Sequence, residues 1–219
     1  MKYINTILFD LDGTLLNTLE DLADSVNYVM EQFQFPTVTL ENVKNYVGDG
    51  APRLMELSLP KGMANPHFEE CLALFKNYYA RHMQIKTKPY EGILPLLQQL
   101  YGNYHMAVVS NKFDPAVKGL VKDYFYPYIT LGLGESAKVR KKPAPDMVFK
   151  ALEELRADAG KAIYVGDSDV DVKTAQNAGL ICVGVAWGFR GAKLLRQEGA
   201  QFLIDSPMEL LTLLKGKNI

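Results

Sequence analysis

The residues of this chain best suited to chemistry are a set of aspartates, one hydroxyl-amide pair and one basic run. Asp10 and Asp12 follow an apolar stretch over residues 4–9, two positions apart, the spacing that turns extended side chains to one side. Gly13 then permits a tight exit from that stretch. At about 4 Å and an effective dielectric near 20, two such carboxylates repel by roughly 4 kcal/mol. A cation must offset them, and no Lys, Arg or His lies nearby in sequence. Farther along stand Ser110-Asn111-Lys112, Arg140-Lys141-Lys142-Pro143 and Gly166-Asp167-Ser168-Asp169-Val170-Asp171. Carboxylates brought together from two such places make a hard oxygen site suited to Mg²⁺. Lys142 would neutralise phosphate charge, while Ser110 and the backbone amides of the 10–14 turn would hold phosphate oxygens. The chemistry this set fits is phosphoryl transfer.

Each piece also has a plainer role open to it. Asp12-Gly13 is a common hairpin turn, Ser110-Asn111 can close a turn, and a basic run is often a solvated loop. Asp167 and Asp171 are favourable charges for a helix N-terminus, and Asp169 reads as the cap of a helix beginning at Val170.

These residues need elements to position them. The β-branched and apolar run before Asp10 reads as a buried strand. After it, helical periodicity dominates: Leu19, Leu22, Ala23, Val26, Met30 and Phe33 form one stripe, with Thr18 expected as cap and Asp21 reaching back. Two short helices are predicted over residues 39–46 and 52–59. A longer one follows Asn65-Pro66 and carries Phe68, Cys71, Leu72, Phe75, Tyr78 and Tyr79. From Pro89 onward the pattern changes. Strands are predicted at 106–110, 128–131, 162–165, 181–185 and 202–204, alternating with helices. That alternation indicates a parallel sheet covered on both faces. The first strand must join this sheet, since alone its backbone would be unpaired. The expected organisation is a Rossmann-like, doubly wound α/β core of residues 1–16 and 85–219, carrying an all-helical cap of residues 17–84. In such a sheet the ligand lies outside the carboxyl ends of the strands, where the polar residues above fall.

Other chemistries are disfavoured. His67, His82 and His105 lack ligand spacing, so zinc is not expected. No Gly-rich loop leads into Lys-Ser or Lys-Thr, which excludes a nucleotide-triphosphate P-loop. The run Gly132-Leu133-Gly134-Glu135-Ser136-Ala137 matches a loose dinucleotide fingerprint, but residues 138–145 cannot supply the helix it needs. A net charge of −1 argues against nucleic-acid or anionic-membrane partners. Cys71 and Cys182 lie far apart in apolar surroundings, which fits a reducing compartment. With no export signal and no apolar run of membrane-spanning length, a cytoplasmic protein is expected, monomeric or homodimeric.

The pattern Asp10-Leu11-Asp12-Gly13-Thr14-Leu15, Ser110, Lys142-Pro143 and Gly166-Asp167-Ser168 with Asp171 resembles the haloacid dehalogenase superfamily of phosphotransferases. Ser110-Asn111-Lys112, the Lys-Pro-x-Pro run and Val185-Ala186-Trp187-Gly188 are most similar to its phosphoglycolate phosphatase-like branch. Asn17-Thr18 departs from the acidic residue followed by Ser or Thr often found there. The resemblance implies Asp10 as nucleophile, forming an aspartyl-phosphate, and Asp12 as general acid and base. It implies Mg²⁺ on Asp10, Asp167 and the backbone carbonyl of Asp12, with Asp171 behind them. Thr14, Ser110, Asn111 and Lys142 would bind phosphate.

The expected activity is Mg²⁺-dependent hydrolysis of a small phosphorylated metabolite, 2-phosphoglycolate-like. A sugar-phosphate mutase or a pyrophosphatase on the same core remains open, as does a phospho-accepting receiver module outside the enzymes. Selectivity is expected from the helical insertion, where Gly48 and Gly50 would admit a small ligand and Arg53 could pair with a second anionic group. A plain turn with Arg53 solvated is the other reading of that stretch.

Overall fold

Ile7, Leu8 and Phe9 are almost fully buried although they alternate sides along one strand, which is possible only inside a sheet covered on both faces. The computed structural model describes residues 4–137 and 139–216. In chain order its elements are β1 (Thr6–Phe9), β2 (Leu16–Asn17), α1 (Leu19–Gln32), α2 (Leu40–Tyr46), α3 (Ala51–Ser58), α4 (Phe68–His82), β3 (Lys88–Pro89) and α5 (Ile93–Leu100). There follow β4 (His105–Phe113), α6 (Asp114–Phe125), β5 (Leu131–Glu135), α7 (Asp146–Leu155), β6 (Ala162–Gly166) and α8 (Asp169–Ala178). The last elements are β7 (Ile181–Val185), α9 (Gly191–Glu198), β8 (Phe202–Ile204) and α10 (Glu209–Lys215). Two compact units result, one of Met1–Leu15 with Pro89–Ile219 and one of Leu16–Lys88.

The first unit holds a six-stranded sheet in the order β5-β4-β1-β6-β7-β8, parallel at every pairing. The order runs outward from β1 in one direction, then restarts on its other side at β6. The crevice between the carboxyl ends of β1 and β6 is therefore the topological switch point of a doubly wound α/β sheet. On one face Leu8, Ala107, Val109, Tyr164 and Cys182 share a core with Met147, Val148, Ala151 and Leu152 of α7, Val172 and Ala175 of α8, and Leu195 of α9. Each such large side chain contributes about 1.5–3 kcal/mol on burial. That packing, not the polar groups at the rim, supplies the stability that lets the rim bury charge.

Two strands differ from expectation. The strand expected at 128–131 forms at Leu131–Glu135, while Ile129 closes a turn by donating its N–H to the Phe125 carbonyl at 3.0 Å. The reason is helix proximity. A Cβ on Gly132 would sit 3.1 Å from Val117 of α6, and one on Gly134 would lie 2.6 Å from the Lys112 carbonyl. Glycines chosen for close approach hide a strand from propensity. They also place the dinucleotide-like run inside a strand rather than in a phosphate-binding loop. β4 extends to Phe113, beyond the expected Ser110, because its register against β5 shifts between Val109 and Phe113. Such bulges re-aim side chains next to active sites. Here the irregular stretch contains Ser110, Asn111 and Lys112.

The second unit is helical apart from its short terminal strands. Leu22, Val26, Val29 and Met30 of α1 are buried, as are Cys71, Leu72, Phe75 and Tyr79 of α4. Thr39 caps α2 by accepting from the Asn42 N–H at 3.2 Å. Thr18 makes no such bond at the start of α1. The buried Asp21 carboxylate accepts the Lys86 N–H at 3.0 and 3.1 Å and the Thr87 N–H at 2.8 Å. It thereby ties the start of α1 to the segment after α4. No helix among the described residues is long and apolar enough to cross a membrane.

Candidate active site

Where β1 ends, the Asp10 N–H still pairs with the Val165 carbonyl at 2.9 Å, so Asp10 leaves the sheet in register beside β6. The turn then closes as the Leu15 N–H reaches back to the Leu11 carbonyl at 3.0 Å, with Gly13 at φ +86°. β6 delivers Asp167 to the same crevice, and α8 begins immediately behind it. Ser168, not Asp169, caps that helix: its hydroxyl accepts from the Asp171 N–H, and the Asp171 carboxylate takes the Ser168 N–H at 3.0 Å and its hydroxyl at 2.6 Å. The Ser-x-x-Asp spacing carries this reciprocal cap. Asp169 occupies the first helical turn and pairs with Lys173 at 3.0 Å.

The cation demanded by these carboxylates comes from 132 residues away. Lys142 Nζ lies 2.7 Å from Asp10 Oδ1, 2.7 Å from Asp171 Oδ1 and 3.0 Å from the Tyr164 hydroxyl, and is 2% exposed. Burial opposes its charge, but Asp10 and Asp171 more than offset this and hold the ammonium protonated well above its usual range. The Tyr164 hydroxyl donates to the Val109 carbonyl at 3.0 Å. Asn111 fixes the lysine from the backbone side. Its Oδ1 accepts the Lys142 N–H at 2.8 Å and its Nδ2 donates to the Lys142 carbonyl at 3.0 Å. The Asn111 side chain thus holds the Lys142 backbone in place. Ser110 is buried and its Oγ accepts the Lys112 N–H at 3.2 Å.

Asp12 is held separately. Lys112 Nζ clasps both of its carboxylate oxygens, at 2.8 and 2.9 Å. The two aspartates of the first turn are therefore neutralised by different lysines, neither of them close in sequence. Oxygens of Asp10, Asp167 and Asp171 instead come within 4.8 Å of one another. The Asp12 carboxylate is not part of that group.

Asp167 is wedged in place. Its Oδ2 accepts the Phe189 N–H at 2.6 Å, and Thr14 Oγ1 donates to its Oδ1 at 3.4 Å. Gly13 and Gly188 face its carboxyl group so closely that neither has room for a Cβ; one on Gly188 would also lie 2.6 Å from the Gly13 carbonyl. Trp187 braces the same turn, its indole N–H donating to the Thr14 carbonyl at 3.1 Å. Gly188→Ala is therefore expected to displace Asp167 and cut turnover by about 100-fold, while Gly179→Ala, strained at φ +70° but far from any side chain, costs stability and leaves turnover unchanged. Steady-state kinetics of the two variants, with circular dichroism to confirm folding, check this.

Burial pushes the Asp10 carboxyl up to about 7, with Asp171 adding to the shift and Lys142 opposing it. Asp167 is raised well above the ordinary carboxylate range by burial, then by Asp171 and Asp10. Three buried carboxylates face one ammonium, so with all three ionised two negative charges would lack a counter-charge, and the raised Asp10 and Asp167 register that cost. An all-oxygen donor set with that surplus fits a hard divalent cation. Of the sequence-selected residues, the structure brings Asp10, Thr14, Asp167, Asp171 and Lys142 together around this point. Gly48, Gly50 and Arg53 belong to the other unit, where Arg53 pairs with Glu56 at 2.8 Å on an exposed helix face. Sequence reading assigned no role to Tyr164, Ser168, Phe189 or the side chain of Lys112. Only Ser168 had a visible signal, in its spacing to Asp171.

This geometry has close counterparts. A phosphoglycolate phosphatase from Pseudomonas syringae pv. tomato is 31% identical over 220 residues, spanning 96% of this chain and 79% of that protein. Pyrophosphatase PpaX from Listeria welshimeri is 30% identical, spanning 98% of both. The crystal structure of a candidate phosphoglycolate phosphatase from Lactobacillus delbrueckii subsp. bulgaricus superposes with a TM-score of 0.91 at 34% identity, over 99% of this chain and all of that one. The sequence profile of the haloacid dehalogenase-like hydrolases matches residues 7–185, from β1 through β7, so Asp10, Asp12, Lys142, Asp167 and Asp171 all fall inside it. The chain belongs to the haloacid dehalogenase-like hydrolase family, as a phosphatase of its phosphoglycolate phosphatase-like branch.

Proposed function

We propose that this enzyme hydrolyses a small phosphomonoester of the 2-phosphoglycolate kind through a phosphorylated Asp10. The observation that carries the reading is the surplus of buried negative charge at the switch point, held by Lys142 on one side only. Mg²⁺ would be held by Asp10, Asp167 and the backbone carbonyl of Asp12. When bound, the ion offsets that surplus and draws charge from the phosphoryl oxygens. Asp171 is committed to Lys142 and Ser168, so it orients rather than reacts.

The protein's own steps follow. Asp10 attacks phosphorus as a carboxylate, the ester oxygen leaves, and Asp12 gives that oxygen a proton. Water then attacks the acyl phosphate while Asp12 takes its proton, and inorganic phosphate departs with Asp10 regenerated. Each proton transfer is worth about 10²–10⁴-fold. Thr14, Ser110 and Lys142 hold the phosphate oxygens, with Asn111 keeping Lys142 in place. The similarity to pyrophosphatase PpaX supports a second substrate, pyrophosphate, in which the leaving group is itself phosphate.

A panel of phosphomonoesters and pyrophosphate, assayed with Mg²⁺ and with excess chelator, tests this. Turnover of 2-phosphoglycolate should exceed that of nucleotides, stop in chelator and return on adding Mg²⁺. The ion should also raise the melting temperature, and Asp167→Asn should abolish that rise. Full activity in excess chelator, or no turnover of any member, would contradict the proposal.

A further inference from the structure

The acids at the switch point differ in how many oxygens they leave for an ion. Asp171 is engaged on both sides: Lys142 donates to its Oδ1 at 2.7 Å, and Ser168 holds its Oδ2 through N–H and hydroxyl together. Asp10 gives its Oδ1 to Lys142 at 2.7 Å, and its Oδ2 accepts from no group among the described residues. Asp167 is divided more sharply. Its Oδ2 accepts the Phe189 N–H at 2.6 Å, from the loop between β7 and α9. The same oxygen sits in a slot between two stretches of backbone. A Cβ built on Gly13 would collide with it, and one on Gly188 would lie 2.6 Å away. Glycine at both positions lets the chain close on that oxygen. Oδ1 carries only the long 3.4 Å contact from the Thr14 hydroxyl.

A carboxylate can grip a cation through one oxygen or through both. Ca²⁺ takes about six to eight oxygens and accepts two from one carboxylate, whereas Mg²⁺ holds about six at closer range and keeps several waters. The partly positive amide hydrogen repels a cation from Asp167 Oδ2, and the glycine walls leave that oxygen little open surface. We infer that Phe189, through its backbone N–H, is a positioning residue that confines Asp167 to one-oxygen metal binding and so favours a small octahedral ion over a larger one. The inference rests on the proposed reading of Asp167 as a metal ligand. It gives the 187–189 loop a task beyond bracing the turn, which is to limit how many oxygens the ion receives.

The test removes that N–H and leaves the rest. Phe189→Pro deletes the donor. Replacing Phe189 by phenyllactate, introduced by nonsense suppression, turns the same amide into an ester and keeps the side chain, so it serves if the proline protein does not fold. Phe189→Ala, which keeps the N–H, is the control. Two readouts are taken on the protein without substrate. Titration calorimetry gives the dissociation constants of Mg²⁺ and Ca²⁺. Terbium, a Ca²⁺-like ion, is excited through Trp187, the only tryptophan of the chain, whose indole donates to the Thr14 carbonyl. Its emission lifetimes in H2O and D2O count the waters left on the ion.

Loss of the N–H should shift the ratio of the two affinities toward Ca²⁺ by about tenfold or more, the scale of one hydrogen bond to a charged group. Bound terbium should lose about one water as Oδ2 joins the ion. Phe189→Ala should match the unaltered protein in both readouts. An unchanged water count in the ester protein would overturn the inference, whatever the affinities do. So would an alanine variant that shifts the ratio as far as the proline one, since the side chain would then be the cause. If neither ion bound the unaltered protein saturably, the metal reading would fall and this inference with it. If both bound and the ratio ignored the amide, the metal reading would stand and only the role of Phe189 would be lost.

Discussion

Asp10→Asn should abolish turnover, by roughly 10⁵-fold or more, while leaving the metal-free protein as stable as wild type or more stable at pH 8. The kinetic half follows from the nucleophile itself: an amide cannot form the acyl phosphate, and removing a nucleophile costs on that scale. The stability half follows from where the carboxyl stands. Burial and Asp171 lift it to about 7, against an ordinary value of 3.8. A carboxyl with a raised folded value binds its proton more tightly in the native state than in the unfolded chain. Its contribution is therefore fully present below about pH 4 and is lost as pH rises through about 7. Asparagine mimics the neutral form at every pH and escapes that loss. The difference in melting temperature, variant minus wild type, should grow as pH rises from 4 to 8 in the presence of chelator. Added Mg²⁺ should narrow it, because the wild-type carboxylate gains a partner. A difference that stayed flat with pH, or measurable turnover by the variant, would remove Asp10 from the proposed role.

Much of this site is legible in the chain because its chemistry needs rare combinations at strand ends. Asp10, Asp167 and Lys142 stand out since each follows, or leads to, an element whose period is clear, and a doubly wound sheet collects such positions at one rim. What could not be read is pairing across distance. Nothing in sequence says that Lys112 takes Asp12, one hundred residues away, while Lys142 takes Asp10. The strand register shift that aims Ser110, Asn111 and Lys112 is likewise invisible, because it arises from how β4 meets β5. Gly132 and Gly134 show the opposite difficulty. Their composition suggests a loop, yet they are glycine because α6 and the chain near Lys112 crowd that strand. Tyr164 reads as one more apolar strand residue, and only the fold reveals its hydroxyl as part of the Lys142 cradle.

That cradle is the basis of the other large effect. Lys142→Met should destabilise the metal-free protein by about 3–5 kcal/mol at pH 8, the scale of breaking a buried ion pair from one side. For a chain of this length that lowers the melting temperature by about 6–20 °C. Asp10, Asp167 and Asp171 would then share a buried crevice with no ammonium among them. The loss should shrink as pH falls toward 5, since protonating Asp10 and Asp167, both already raised, relieves the repulsion. Turnover should fall as well, by about 10²–10³-fold, if Lys142 holds the phosphoryl oxygens as proposed. Lys142→Arg should not rescue it. A planar guanidinium cannot place one nitrogen at 2.7 Å from two carboxylates and 3.0 Å from a phenol in a site only 2% exposed. Thermal unfolding of both variants at pH 5 and pH 8, with turnover at each, gives the comparison. A Lys142→Met protein that melted like wild type at pH 8 would show that the carboxylates are not held by this lysine, and the charge surplus from which the metal was argued would have to be counted again.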